Sequence, residues 1–152
     1  MLILLGIVNH SVLAGSRVAV SLDALALGAS TFTVGVVMAL YALLPMLLAV
    51  TAGRFCDSVG ARTPMLVGCV LIASAAAIPW FARGMPALFV SAALLGVGFM
   101  IFQVATQHAT GALGAPDDRA RNFGLLAMGY SISGFIGPLI AGWLALRYGW
   151  RI

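Results

Sequence analysis

Charge is scarce in this sequence. Only 8% of its 152 residues are charged, against roughly 25% in a soluble globular domain, so water is not its main solvent. With 62% hydrophobic residues and a mean hydropathy of +1.11, the chain has more apolar surface than a domain of this size can bury in its own core. Lipid must cover the remainder. Lysine is absent, and the eight basic residues are all Arg, scattered singly or in pairs. That scatter excludes the basic patch of a nucleic-acid partner, despite a net charge of +4. The charges fall mostly between apolar runs, where a membrane protein keeps its loops. Abundant Ala, Gly and Arg without Lys points to a GC-rich bacterial gene.

Cysteine is nearly absent too. Cys56 and Cys69 stand thirteen residues apart, with neither the close pairing nor the His neighbours of a metal or redox site, and both read as free thiols. Cys69 lies in an apolar run and Cys56 in a charged connection. No Ser/His/Asp constellation, phosphate loop or metal-ligand cluster is present, so the expectation is no enzyme, no cofactor and no metal. The stretch Met1 to Gly6 carries no basic residue, and its hydrophobicity continues well past the short core of a signal peptide. It reads as the start of a first transmembrane helix.

Apolar runs occupy about Leu2–Leu27, Phe32–Ala52, Pro64–Ala82, Pro86–Leu113 and Phe123–Leu146, each near the ~20 residues that a helical span needs. A closed barrel would show short alternating segments instead, so the predicted fold is an all-α membrane protein of five transmembrane helices in a lipid bilayer. The connections are Gly28–Thr31, Gly53–Thr63, the Arg83–Gly84 turn and Gly114–Asn122. None has room for a soluble domain. The second and fourth are markedly charged and, because consecutive spans alternate in direction, share one side of the membrane. Arg54, Arg62, Arg119 and Arg121 lie in those two, and Arg17, Arg83, Arg147 and Arg151 lie elsewhere. This four-to-four balance leaves orientation open under the positive-inside rule.

Two segments carry recognisable patterns. After the second run the chain reads Gly53-Arg54-Phe55-Cys56-Asp57-Ser58-Val59-Gly60-Ala61-Arg62. Gly53 and Gly60 permit tight turning at helix ends, and Asp57 can offer its carboxylate to an Arg or to the amides of a helix amino terminus. In the fifth run, Gly129, Ser133, Gly137 and Ala141 recur every four positions, as do Gly134, Pro138 and Gly142. One flank of that helix therefore admits close approach by another, and Pro138 is expected to bend it.

The first segment resembles the signature loop between helices two and three of the major facilitator superfamily, matched at Gly53, Asp57, Gly60 and Arg62, with Ser58 where the family has a basic residue. The second is similar to the fifth-helix Gly-Pro signature of the superfamily's drug and metabolite proton antiporters, matched at Gly124, Gly137, Pro138 and Gly142, with Ser133 and Ala141 replacing glycines. The resemblance implies an amino-terminal six-helix bundle of such a carrier, residues 1–152, cut short before helix six. It also implies that the loop, with Arg54, latches the carrier's two halves and gates the cytoplasmic side, which puts the charged connections in the cytoplasm. The expected function is transport of a small molecule as part of a secondary carrier, by export in exchange for protons, in a bacterial inner membrane. A short membrane protein acting as an oligomer or scaffold is the alternative.

Polar residues inside the spans are the candidate cavity: Asn9, His10 and Arg17 in the first, Gln103 and Gln107 in the fourth. An Arg at the centre of an isolated span costs about 2.5–3.5 kcal/mol on the insertion scale, so Arg17 should avoid lipid. His10, seven residues earlier, shares its face. Asp23 is expected near the far membrane surface. The glutamines, with Thr106, His108 and Thr110 beside them, could line a substrate path or glue helices together. Where the family carries a proton-linked fourth-helix Arg, this chain has Ala92 and Leu95, which leaves His10, Arg17 and Asp23 as the proton-coupling candidates. Arg147-Tyr148-Gly149-Trp150-Arg151 reads as the external turn into a sixth span. The expected partners are therefore an unidentified small-molecule substrate and a missing second half, against which the latch and the small-residue stripe would dock.

Overall fold

The computed structural model describes residues 2–148, and the Gly149–Arg151 part of the expected external turn lies outside them. Five helices are long and apolar enough to cross a membrane: α1 (Leu2–Ala26), α2 (Thr31–Val59), α3 (Arg62–Phe81), α4 (Met85–Gly111) and α5 (Arg119–Tyr148). A single 3₁₀ turn, Pro116–Asp118, precedes α5. In hydrocarbon the backbone has no water to bond, and a continuous helix satisfies its amides within the segment. The helices accordingly run unbroken through Pro45, Pro79 and Pro138.

Short polar and glycine signals end the helices. The Ser30 hydroxyl accepts the Thr33 amide at 3.2 Å and caps α2. Gly60, at φ 76°, closes α2 by donating its amide to the Cys56 carbonyl at 2.9 Å. In the first turn of α5, the Asn122 side-chain amide donates to the Leu113 carbonyl at 3.0 Å, tying the fourth connection down.

The helices outrun the apolar stretches on the charged side. The second connection, expected from Gly53 to Thr63, shrinks to Gly60 and Ala61, because α2 continues to Val59 and α3 begins at Arg62. Gly53 thus sits inside a helix rather than at its end. The 29 residues of α2 extend ~43 Å at ~1.5 Å per residue, beyond the ~30 Å hydrocarbon core. Its last turns stand in the headgroup layer and water, where charged side chains are solvated and the backbone ladder need not stop. The fourth connection shortens likewise, since α5 starts at Arg119 rather than Phe123.

Packing centres on α4, half of whose span is buried, against 11% for α2. Lipid tails are as apolar as leucine, so close backbone approach rather than a hydrophobic drive holds such helices together. Glycines mark each main crossing. A Cβ on Gly96 would stand 2.5 Å from the Tyr41 carbonyl oxygen of α2. One on Gly68 of α3 would stand 2.8 Å from the Gly98 carbonyl of α4, and one on Gly137 of α5 2.6 Å from the Ser11 carbonyl of α1. Around this core large apolar side chains point outward, among them Phe32, Met46, Leu47, Val50, Phe81 and Leu146. That is the surface a bilayer covers.

Candidate functional site

The polar residues of α1 divide between its neighbours. Asn9, 7% exposed, donates to the Leu5 carbonyl at 2.9 Å and to the Cys69 sulfur of α3 at 3.6 Å, and so serves as helix glue. His10 is half-buried at the seam between α1 and α5. Its Nδ1 lies 2.7 Å from the Ser133 hydroxyl, and its ring packs between Phe99 of α4 and Tyr130 of α5, with centroids at 5.4 and 5.2 Å. The Tyr130 hydroxyl is buried without a hydrogen-bond partner among the described residues.

Two turns further on, Arg17 is exposed, with its guanidinium 5.4 Å from the centre of the Tyr41 ring on α2. Tyr41 in turn donates to the Ser16 hydroxyl at 3.2 Å. His10 and Arg17 therefore follow one flank of α1 with different surroundings, an aromatic cage for the first and an open face for the second. On the opposite flank, α1, α3, α4 and α5 enclose a largely apolar groove of about 700 Å³, lined by Ser11, Gly15, Ala76, Trp80, Leu95 and Ile140 among others. Asp23 lies at its edge.

On α4 the polar cluster splits. Thr106 and Thr110 are buried and donate to the carbonyls one turn back, Phe102 at 2.8 Å and Thr106 at 2.7 Å, so they satisfy themselves within the helix. Gln103 is half-buried and Gln107 exposed.

The five-span order and this distribution of polar side chains meet a clear likeness in known proteins. The sequence pattern of the Major Facilitator Superfamily matches residues 2–152. The chain belongs to this superfamily. It is similar to the multidrug resistance protein MdtH of Cronobacter sakazakii, 32% identical over 126 residues, covering 83% of this chain and 31% of that protein. The MdtH of Yersinia pestis is 30% identical over 122 residues, covering 80% of this chain and 30% of its own length. That of Shigella flexneri is 29% identical over 126 residues, with 83% and 31% covered. The chain thus spans about three-tenths of the length of the curated relatives it matches. No solved structure matches it at comparable significance.

Within this superfamily member, the residues Gly53–Arg62, expected to form a loop, make the end of α2, a two-residue turn and the start of α3. Arg54 and Asp57 lie on exposed faces of the last turns of α2, Gly60 closes the helix, and Arg62 opens α3. The charged group nearest Asp57 is His108 at the end of α4, with Nε2 3.8 Å from Oδ1, and the two residues are 74% and 46% exposed. An arginine or a helix amino terminus was the expected partner. Because α2 stays helical, the carboxylate is held against α4 instead. The pair is ionic only while His108 is protonated, and exposed pairs contribute about 0–1 kcal/mol. Asp57→Asn should therefore change the unfolding free energy of this chain by less than about 1 kcal/mol. Titration with a denaturing detergent, followed by circular dichroism, checks this.

The α5 signature also divides. Gly129 meets Ile3 and Ile7 of α1, Ser133 meets His10, and Gly137 meets Ser11, Ala14 and Gly15. Ala141 faces Gly15, with its Cβ 3.5 Å from where a Cβ on Gly15 would stand. This stripe is spent on α1 of the same chain, where the sequence reading expected a second half. Gly124 and Gly142 have nothing within 4 Å of an added Cβ. α5 runs on without a break through Pro138, where a bend was expected.

Sequence reasoning missed Phe99, Tyr130, Tyr41 and Ser16, which surround His10 and Arg17. Aromatic residues inside apolar runs look like ordinary packing, and only the crossing of α1 with α2, α4 and α5 brings them to the polar groups. Ser16 follows Gly15 in a span, but its hydroxyl becomes informative only once Tyr41 is known to reach it.

Proposed function

We propose that this chain is the amino-terminal transmembrane domain of a secondary carrier, not an enzyme, lying in a bacterial inner membrane and exporting small molecules in exchange for protons. The name of the MdtH relatives, multidrug resistance protein, supports export of drug-like compounds by the protein to which this domain belongs.

The observation that carries the reading is Arg17. It stands mid-way along α1, exposed, with no carboxylate within salt-bridge distance among the described residues. Facing hydrocarbon there would cost about 2.5–3.5 kcal/mol. A second half of the carrier, closing over this flank and enclosing a wet path, removes that cost and gives the cation a role toward substrate. The latch residues Arg54, Asp57 and Arg62 would face the same second half at the cytoplasmic surface. The groove on the other flank of α1 suits a sixth span, because it is lined almost entirely by apolar side chains of α1, α3, α4 and α5.

The test is transport by the longest reading frame that contains this chain, reconstituted in liposomes with a panel of drug-like dyes. Arg17→Leu should lower the initial rate by about tenfold, equivalent to ~1.4 kcal/mol, with Arg17→Lys falling between. Transport by the Leu variant at the parent rate would sink the role of this flank, and absence of any transport by the parent would sink the carrier reading itself.

A further inference from the structure

Among the polar groups inside the bundle, His10 alone combines a fixed hydrogen bond, an aromatic cage and an unused basic atom. The Ser133 hydroxyl has one proton and donates it to the Tyr130 carbonyl at 2.9 Å. It can then only accept from the imidazole 2.7 Å away, so the neutral ring carries its hydrogen on Nδ1. Nε2 is left with a free lone pair. The rings of Phe99 and Tyr130 pack at a tilt against the imidazole, and an aromatic ring close by favours a cation over a neutral group.

We propose that His10 is a proton-binding site within the membrane-spanning bundle, with Nε2 taking the proton and the Nδ1–H bond to Ser133 holding the ring in place. The inference rests on the carrier reading for its use in coupling, but the site itself does not need that reading. The only bond made or broken is N–H. A proton arrives from water on one side and returns to water on the other, and the ring passes between neutral imidazole and imidazolium.

The surrounding groups set the response. Arg17 on α1 is the charged one, and it opposes a second positive charge on the same flank. Tyr41 on α2, Cys69 on α3 and Tyr130 on α5 bring hydroxyl and thiol groups from the neighbouring helices. Phe99, from α4, does not titrate. Among the described residues no carboxylate lies within salt-bridge distance of the imidazole. A bound proton is therefore offset only by the neighbouring aromatic rings and the serine oxygen, which keeps it exchangeable.

Nitrogen-15 spectra of labelled histidine decide the point in this chain carried in lipid nanodiscs, using His108→Gln so that His10 gives the one imidazole signal. The expected result is an Nδ1–H tautomer at high pH that converts to imidazolium as pH falls between ~8 and ~5, the range in which histidine changes charge. In Ser133→Ala the ring should still titrate, but the Nε2–H tautomer should appear in the neutral form. A ring that stays neutral to pH ~5, or that carries its hydrogen on Nε2 in the chain with Ser133 intact, overturns the proposal.

A flux measurement separates this inference from the carrier reading. In the longest reading frame, in liposomes, His10→Gln should lose about tenfold of the flux driven by a pH gradient. Gradient-driven flux equal to the parent's overturns the coupling role. If the parent moves no substrate under any gradient, the carrier reading fails, and the spectra still decide whether His10 binds a proton.

Discussion

Gly96→Ala should destabilise this chain by about 2 kcal/mol, and Gly96→Val by about 3, although both residues replace a poor helix former in mid-helix. The added Cβ would lie 2.5 Å from the carbonyl oxygen of Tyr41 and 3.0 Å from its carbonyl carbon and Cα. Those atoms are backbone, and no rotamer change relieves the clash. The two helices must separate, and the separation also loosens Tyr41 from the Ser16 hydroxyl and from Arg17. Gly35→Ala is the control. It lies on α2 with nothing within 4 Å of its added Cβ, so the change should be neutral or stabilising by up to ~1 kcal/mol, the propensity difference between Gly and Ala. The unfolding midpoint in detergent titration reads both. A Gly96→Ala midpoint at or above the parent's would mean that α2 and α4 do not cross closely there.

Gly137→Ala and Gly142→Ala, five residues apart on α5, should move stability in opposite directions. At Gly137 the new Cβ would meet the Ser11 carbonyl oxygen at 2.6 Å, the Ala14 Cβ at 3.1 Å and the Gly15 amide nitrogen at 3.2 Å, all on α1. Forcing that seam apart should cost about 2 kcal/mol net of the propensity gain. It should also stretch the bond between His10 and Ser133, one turn away on α5. At Gly142 nothing lies within 4 Å, and alanine should leave the chain unchanged or up to ~1 kcal/mol more stable. The same titration distinguishes them, with the His10 nitrogen signal as a second readout. Equal effects at the two positions would show that the α5 signature acts as one uniform stripe.

Much of the architecture was legible before any coordinates. Long apolar runs with charge held to the connections dictate helices, because an unbonded amide in hydrocarbon is too costly for any other spanning form. The order of the spans and the family they belong to follow from local patterns: the Gly-Asp-Gly-Arg spacing around Asp57 and the small-residue period around Gly137. Helix ends were less legible. Hydropathy reports where lipid stops, not where hydrogen bonding stops, and α2 carries its ladder past Ala52 to Val59 through Arg54 and Asp57. Candidate site residues were legible by type, since His10 and Arg17 are costly in a span wherever they point, but their surroundings were not.

The sequence by itself therefore determined the solvent, the helical class, the superfamily and the short list of polar residues that lipid would reject. These depend on composition and on spacing within one helix. Tertiary structure alone decided that Ser133 pairs with His10, that Phe99 and Tyr130 flank the imidazole, that Tyr41 lies under Arg17, and that Asp57 faces His108. It also decided that Gly137 lies against α1 while Gly142 stays open. The reason is physical: in lipid every apolar face is equally well solvated, so hydrophobicity does not say which helices meet. Contact is set instead by how closely particular backbones can approach and by which polar groups find one another across the crossing.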